Sequence, residues 1–372
     1  VEGLFPYPSV CDGAVYDGPY PDFLRCYLVD GEELYHQGNY ACTAVYPYNT
    51  TCWDGSVADA YEGGDGTEEN PYQIATPQQL ALLAQQTIDG TGSEHYYILV
   101  DDICLNDEGG TLEWPMIGGD VPQSLPRYFE GVFDGNGHTI KGMYISQYHV
   151  NSGLFGGTDG AVIKNLTVDG SRILDGNGMG ILAGHAQNTD VFNCCVTNCE
   201  LTNSIASGGG GLFGSVAAYH TSDTVVIRNC VSSNVRVGDS AAFDMCGGIV
   251  GYAHGTLGVV VIEGCVNYSE MVGDPRAGGI LGGGGDGIFI RDCMNYGTIT
   301  AEQCGGGIVG YCWDAEITRC FNWGDVWSGV RVGGISGQVS GHRIFECANY
   351  GSVSSASTTG SQLGGLVGIN GE

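Results

Sequence analysis

Asp134-Gly135-Asn136-Gly137-His138 sets a carboxylate and an imidazole in a turn, the type of placement that β-helix polysaccharide hydrolases and lyases use. Glycoside hydrolysis needs a second carboxylate at a suitable separation, and lyase chemistry needs a base, often with calcium. The cation nearby in sequence is Lys141, and no motif ties a second acid to Asp134. A Gly/Asn turn between two strands accounts for the segment, so its expected role is structural. Acidic clusters at Asp65, Glu68 and Glu69, and at Asp101, Asp102, Asp107 and Glu108, offer the hard oxygens that calcium prefers. Neither has the twelve-residue EF-hand pattern; calcium on Asp65, Glu68, Asp101 and Asp102 is the metal reading, against a default of solvated turns.

An aromatic follows an asparagine four times, at Asn267-Tyr268, Asn295-Tyr296, Asn322-Trp323 and Asn349-Tyr350. Strand alternation from the preceding cysteine points each asparagine inward and each aromatic outward. The asparagines are expected to form an amide ladder that satisfies turn backbone. Tyr268, Tyr296, Trp323 and Tyr350 would form an exposed stripe of the sort on which sugar rings stack; covering the flank is its plainer role. His185, His220 and His254 fall at different offsets after glycine motifs, which argues against a stacked metal site and leaves them as surface residues. No P-loop, dinucleotide fingerprint, Gly-x-Ser-x-Gly elbow or HExxH helix occurs.

The elements that must carry these residues follow from a repeated phrase, Gly-Gly-apolar-x-Gly. It stands at Gly210, Gly247, Gly278, Gly306, Gly333 and Gly364, with degenerate copies at Ser152 and Gly180, so the spacings are 28, 30, 37, 31, 28, 27 and 31 residues. A second phrase ends in Cys230, Cys265, Cys293, Cys320 and Cys347, with Cys194 one unit earlier. Units this short cannot bury an apolar face alone and must stack. Between glycines the chain alternates apolar and polar in short runs rich in Val and Ile, which predicts three short strands per unit. The architecture expected is all-β, a parallel β-helix whose coils stack at about 4.8 Å. The cysteine ladder would then be an inward stack of small apolar side chains.

Bulk properties agree. The chain has 372 residues, 65 glycines without an every-third period and a formal charge of −30, with Lys141 and Lys164 its two lysines. That field repels nucleic acid and anionic membrane, and no apolar run is long enough to cross a bilayer. Residues 1–57 lack the repeat and read as a small Cys/Tyr-rich β segment, in which Cys11, Cys26, Cys42 and Cys52 suggest up to two disulfides and an oxidising compartment. Residues 58–372 form the β-helix. Within them Thr76-Pro77-Gln78-Gln79 opens a helix near 76–88, with Thr76 as cap and Gln79 completing a capping box, as a lid on the open end. With no leader at Val1 and no capping segment after the last glycine motif, the native polypeptide is expected to continue, and this stretch to be a monomeric part of a longer surface protein.

The order of phrases resembles bacterial surface proteins that carry the so-called GLUG motif. A segment from Asp65-Gly66-Thr67 through Pro71-Tyr72 to Leu80 precedes Asp102-Ile103 and Trp114 to Gly118; Phe129 to Ile140 follows, and then the glycine repeats, over roughly residues 60–372. The resemblance implies a right-handed parallel β-helix, export to a bacterial cell surface and an adhesive or ligand-binding role, with no catalytic residues to carry over. The expected function is therefore a non-catalytic extracellular module that binds host or microbial glycans or proteins. The alternatives are a polysaccharide-active β-helix enzyme, a glycoside hydrolase or lyase, and a structural stalk.

Overall fold

The computed structural model describes residues 51–119, 126–202, 207–221, 223–237, 244–341, 343–356 and 362–371. Residues 1–50 of the expected Cys/Tyr-rich β segment, with Cys11, Cys26 and Cys42, lie outside them.

One turn shows the plan. Ile288–Arg291, Met294–Asn295, Ile299–Ala301, Cys304–Gly306 and Val309–Cys312 are five short strands, after which Ala315–Thr318 returns to pair with Ile288–Arg291. Repetition builds five parallel sheets. Sheet I has ten strands, from Tyr72–Ile74 to Arg343–Phe345; sheet II has nine, from Ile103–Cys104 to Ala348–Asn349. Sheets III, IV and V have eight each, beginning at Tyr144–Ile145, Asn151–Ser152 and Phe155–Asp159. The protein is a parallel β-solenoid of about ten turns, with every strand paired to its counterparts one coil away.

The number of strands per coil corrects the expectation of three. Runs that read as single strands are broken by corners of two kinds. The residue before each ladder cysteine is left-handed in successive coils, at Asn193, Asn229, Gly264, Asp292, Arg319 and Glu346, and turns sheet I into sheet II. The second corner is the glycine phrase itself, which joins sheet IV to sheet V. There a Cβ on Gly307 would lie 2.1 Å from the carbonyl oxygen of Gly334 in the next coil, so only a bare backbone fits. The outer glycines of the phrase lie in the strands, Gly306 ending one and Gly310 in the next, and the corner falls at Gly307 between them.

The interior is one continuous stack of Val, Ile, Leu and Cys, with Phe129, Phe133, Phe155 and Phe213 filling its first half. Helix α1, Pro77–Asp89, closes the N-terminal end. Thr76 accepts from the Gln79 N–H, Gln79 returns a bond to the cap backbone and Gly90 ends the helix in a left-handed turn. Leu80 and Leu83 enter the same core as Ile74, Tyr97 and Phe129, so α1 is the expected lid. Cys52 is bonded to Cys104 of the first coils and not to a leader cysteine, and Trp53 packs edge-on against Trp114 at 5.6 Å.

Candidate functional site

The Asp134 turn is tied up in structure. Its carboxylate accepts from the Asn136 N–H at 2.8 Å and from the Asn165 amide at 3.0 Å. The cation paired with it is Lys164 of the next coil, at 3.2 Å, and not Lys141. His138 turns to Asp102, 3.3 Å away, and the same Asp102 oxygen accepts the Thr139 N–H at 2.8 Å. Asp101 accepts the Asp102 N–H at 2.8 Å. Asp65 is exposed and accepts from both the backbone and the hydroxyl of Thr67, which holds its carboxyl below the ordinary range; Glu68 is exposed beside it. Among the described residues neither acidic group brings three carboxylates together. The one cluster of three His, Cys or acidic ligand atoms among them is Cys52, Cys104 and Asp107, and its two sulfurs are already joined.

The amide ladder forms as alternation requires. Asn267, Asn295 and Asn322 are fully buried, each donating to the next along the ladder, which ends on Asn349, at 2.7–2.8 Å. Each also donates to the carbonyl two residues ahead, at Ser269, Gly297 and Gly324. The aromatics are aligned outside, half-buried up to Tyr350, which is 63% exposed. Their rings lie flat on one another: Tyr268 on Tyr296 at 5.0 Å, Tyr296 on Trp323 at 4.8 Å and Trp323 on Tyr350 at 5.2 Å. Coil spacing is close to aromatic stacking distance, so the faces of the inner rings are covered by neighbouring rings. What Tyr296 and Trp323 turn to solvent is ring edge, and the faces on which a sugar would stack are taken up there by neighbouring rings.

A different face carries a recess. On the outer row of sheet IV, Asn151 pairs with Gly178 and Gly178 with Gly208, before side chains resume at Met245. Two bare positions in consecutive coils leave a notch of about 230 Å³, floored by glycine backbone and walled by Asn151, Asn177, Asp244, Ser215 and Tyr252. A second recess of about 150 Å³ shares Ser215 and Tyr252 and extends the groove past His185, Tyr219 and His254. Ser215 and His185 are neighbours on the outer row of sheet V, their Oγ and Nδ1 2.8 Å apart. Asp244 is held by Arg276 at 2.7 Å, and that guanidinium lies 4.9 Å above the Tyr311 ring. Burial pushes the Tyr252 phenol up, so it stays a neutral donor and acceptor.

Only the two histidines of this groove drew notice in the sequence, and as surface residues. The groove's signal was a pair of glycines outside the repeated phrase, legible only once the register is known.

Fold and groove define the class, a parallel β-solenoid with a shallow recess on one flank. No family model matches the chain. Halomucin of Haloquadratum walsbyi is 31% identical over 172 residues, 44% of this chain and 2% of that protein. A "putative Gly-rich membrane protein" of Evansella cellulosilytica is 35% identical over 122 residues, 31% of this chain and 13% of that protein. The chain thus matches a small part of either relative's length. Among solved structures, a "putative immunoglobulin A1 protease" from Bacteroides ovatus superposes with a TM-score of 0.52 over 82% of this chain and 85% of that one, at 23% identity. That likeness shows the fold alone. No helix among the described residues is long and apolar enough to cross a membrane.

Proposed function

We propose that this chain is a rigid, non-catalytic module of a GLUG-type bacterial surface protein, displayed outside the cell, and that it binds a neutral glycan in the groove between Asn151 and Tyr252. The observation that carries this reading is the notch itself. Glycine backbone forms the floor, Tyr252 offers an aromatic wall, and Asn151, Asn177 and Asp244 supply the amide and carboxylate groups that engage sugar hydroxyls. A charge of −30 disfavours acidic ligands. Among the described residues Asp244 is the single carboxylate lining either recess, and Arg276 already holds it, which supports binding over two-carboxylate hydrolysis. The names of halomucin and of the Gly-rich membrane protein fit a place at the cell surface.

A glycan array on the intact chain, with calcium and with chelator, tests the proposal. Binding is expected to be lost in Tyr252→Ala, retained in Tyr296→Ala with Trp323→Ala, and indifferent to chelator. Loss in the stripe variant alone would move the site to the aromatic stack, and loss on chelation would bring in the acidic turns.

A second reading rests on the Ser215–His185 contact, which has the length of a nucleophile–base pair. It predicts covalent labelling of Ser215 by a fluorophosphonate, abolished by His185→Ala; an unlabelled chain removes it.

A further inference from the structure

Six consecutive coils each place one cysteine at the same point, at the entry to sheet II. The register is set by backbone bonds: the N–H after Cys230, Cys265, Cys293, Cys320 and Cys347 donates to the carbonyl of the ladder cysteine one coil before, at 2.9–3.2 Å. Neighbouring ladder cysteines are thus separated by one strand spacing, about 4.7–4.9 Å, inside the Cα separation of about 4.4–6.8 Å that disulfides span, and bridging must draw their stacked Cβ atoms in to about 3.5–4.5 Å. All six are free thiols, five buried and the last, Cys347, half-buried where the stack nears its C-terminal end. There the Cys320 N–H already points at the Cys347 sulfur, 3.4 Å away.

We propose that this ladder is an oxidisable staple, in which neighbouring coils are joined by the bridges Cys194–Cys230, Cys265–Cys293 and Cys320–Cys347. Each sulfur can bond to one neighbour only, so a run of six admits two phases. One makes three bridges and leaves no thiol; the other joins Cys230–Cys265 and Cys293–Cys320 and strands Cys194 and Cys347. Closure from the accessible end, with Cys347 reacting first, selects the complete phase. The oxidant is a disulfide, that of a thiol–disulfide oxidoreductase or of oxidised glutathione. The Cys347 thiolate attacks it, the Cys320 thiolate displaces the mixed disulfide, and the two electrons and two protons leave with the reduced oxidant as its thiols. Burial raises the pKa of the Cys230 and Cys293 thiols, which keeps these two unreactive until the coil beside them opens.

The test is non-reducing peptide mapping of the intact chain after incubation with oxidised glutathione, quenched by alkylation in denaturant. The Cys52–Cys104 bridge serves as an internal standard. Expected are the three named crosslinks, each lighter by about 2 Da than its reduced pair. Cys347→Ser should invert the phase, giving Cys293–Cys320 and Cys230–Cys265 with Cys194 alkylated. Wild type alone decides the claim if that variant fails to fold. Six thiols that stay alkylatable after oxidant, or bridges to cysteines outside the ladder, would overturn it.

Discussion

Replacing Asn295 by alanine removes the middle of the amide ladder, and its cost can be worked bond by bond. The side chain donates to the Gly297 carbonyl and to Asn322, both at 2.8 Å, and accepts from Asn267 at 2.8 Å and from the Gly297 N–H at 3.2 Å. Asn267 and Asn322 keep their own turn contacts in the variant, whereas the Gly297 N–H and carbonyl lose a buried partner each. At about 1 kcal/mol net per bond, with a further penalty for the stranded backbone groups, the loss should be about 3–5 kcal/mol. Asn349 makes two of these bonds and is only half-buried, so Asn349→Ala should cost about 1–2 kcal/mol. Urea unfolding of the three proteins measures both, and amide exchange at Gly297 should quicken in Asn295→Ala before the rest of the solenoid responds. Equal costs at the two positions, or less than about 1 kcal/mol at Asn295, would refute the ladder as a source of stability.

Gly307→Ala sets a Cβ 2.1 Å from the Gly334 carbonyl oxygen and should destabilise by at least about 3 kcal/mol, whereas Gly365→Ala, with nothing within 4 Å, should change thermal stability by less than about 0.5 kcal/mol. Burial raises the Asp169 pKa, so the native state binds that proton more tightly than the unfolded chain; its ionisation should subtract stability as pH rises through the carboxylate range. Asp169→Asn keeps an oxygen for the Asn198 amide, 2.8 Å away, and should gain on wild type as pH rises from about 4 to 6 in denaturant titrations; a gap that narrows instead would contradict the sign. Chelator should leave the melting temperature unchanged, since neither acidic turn brings three carboxylates together; a fall would point to calcium at Asp65, Glu68, Asp101 or Asp102.

What could be read from the sequence was whatever repeats. The cysteine ladder, the inward asparagines and the α1 cap follow from alternation and capping rules that act locally, and each sits where those rules place it. Strand number did not follow, because a left-handed residue such as Arg319 or Glu346 has no compositional mark, and the corner it makes is invisible within an apolar run. Stacking of Tyr296 between Tyr268 and Trp323 was equally hidden, for alternation tells which way a ring points and not how it is turned. The notch depends on side chains that are missing at Gly178 and Gly208, and on Asp244 and Tyr252 three coils from Asn151 on its far wall. Such a site breaks the period instead of following it.

The most direct test of glycan recognition is a crystal structure of the chain with the strongest glycan from the array. The groove reading predicts a sugar ring seated over Gly178 and Gly208, against Tyr252 and within hydrogen-bond distance of Asn151 or Asp244. A sugar on the open face of Tyr350, with the notch empty, would contradict it.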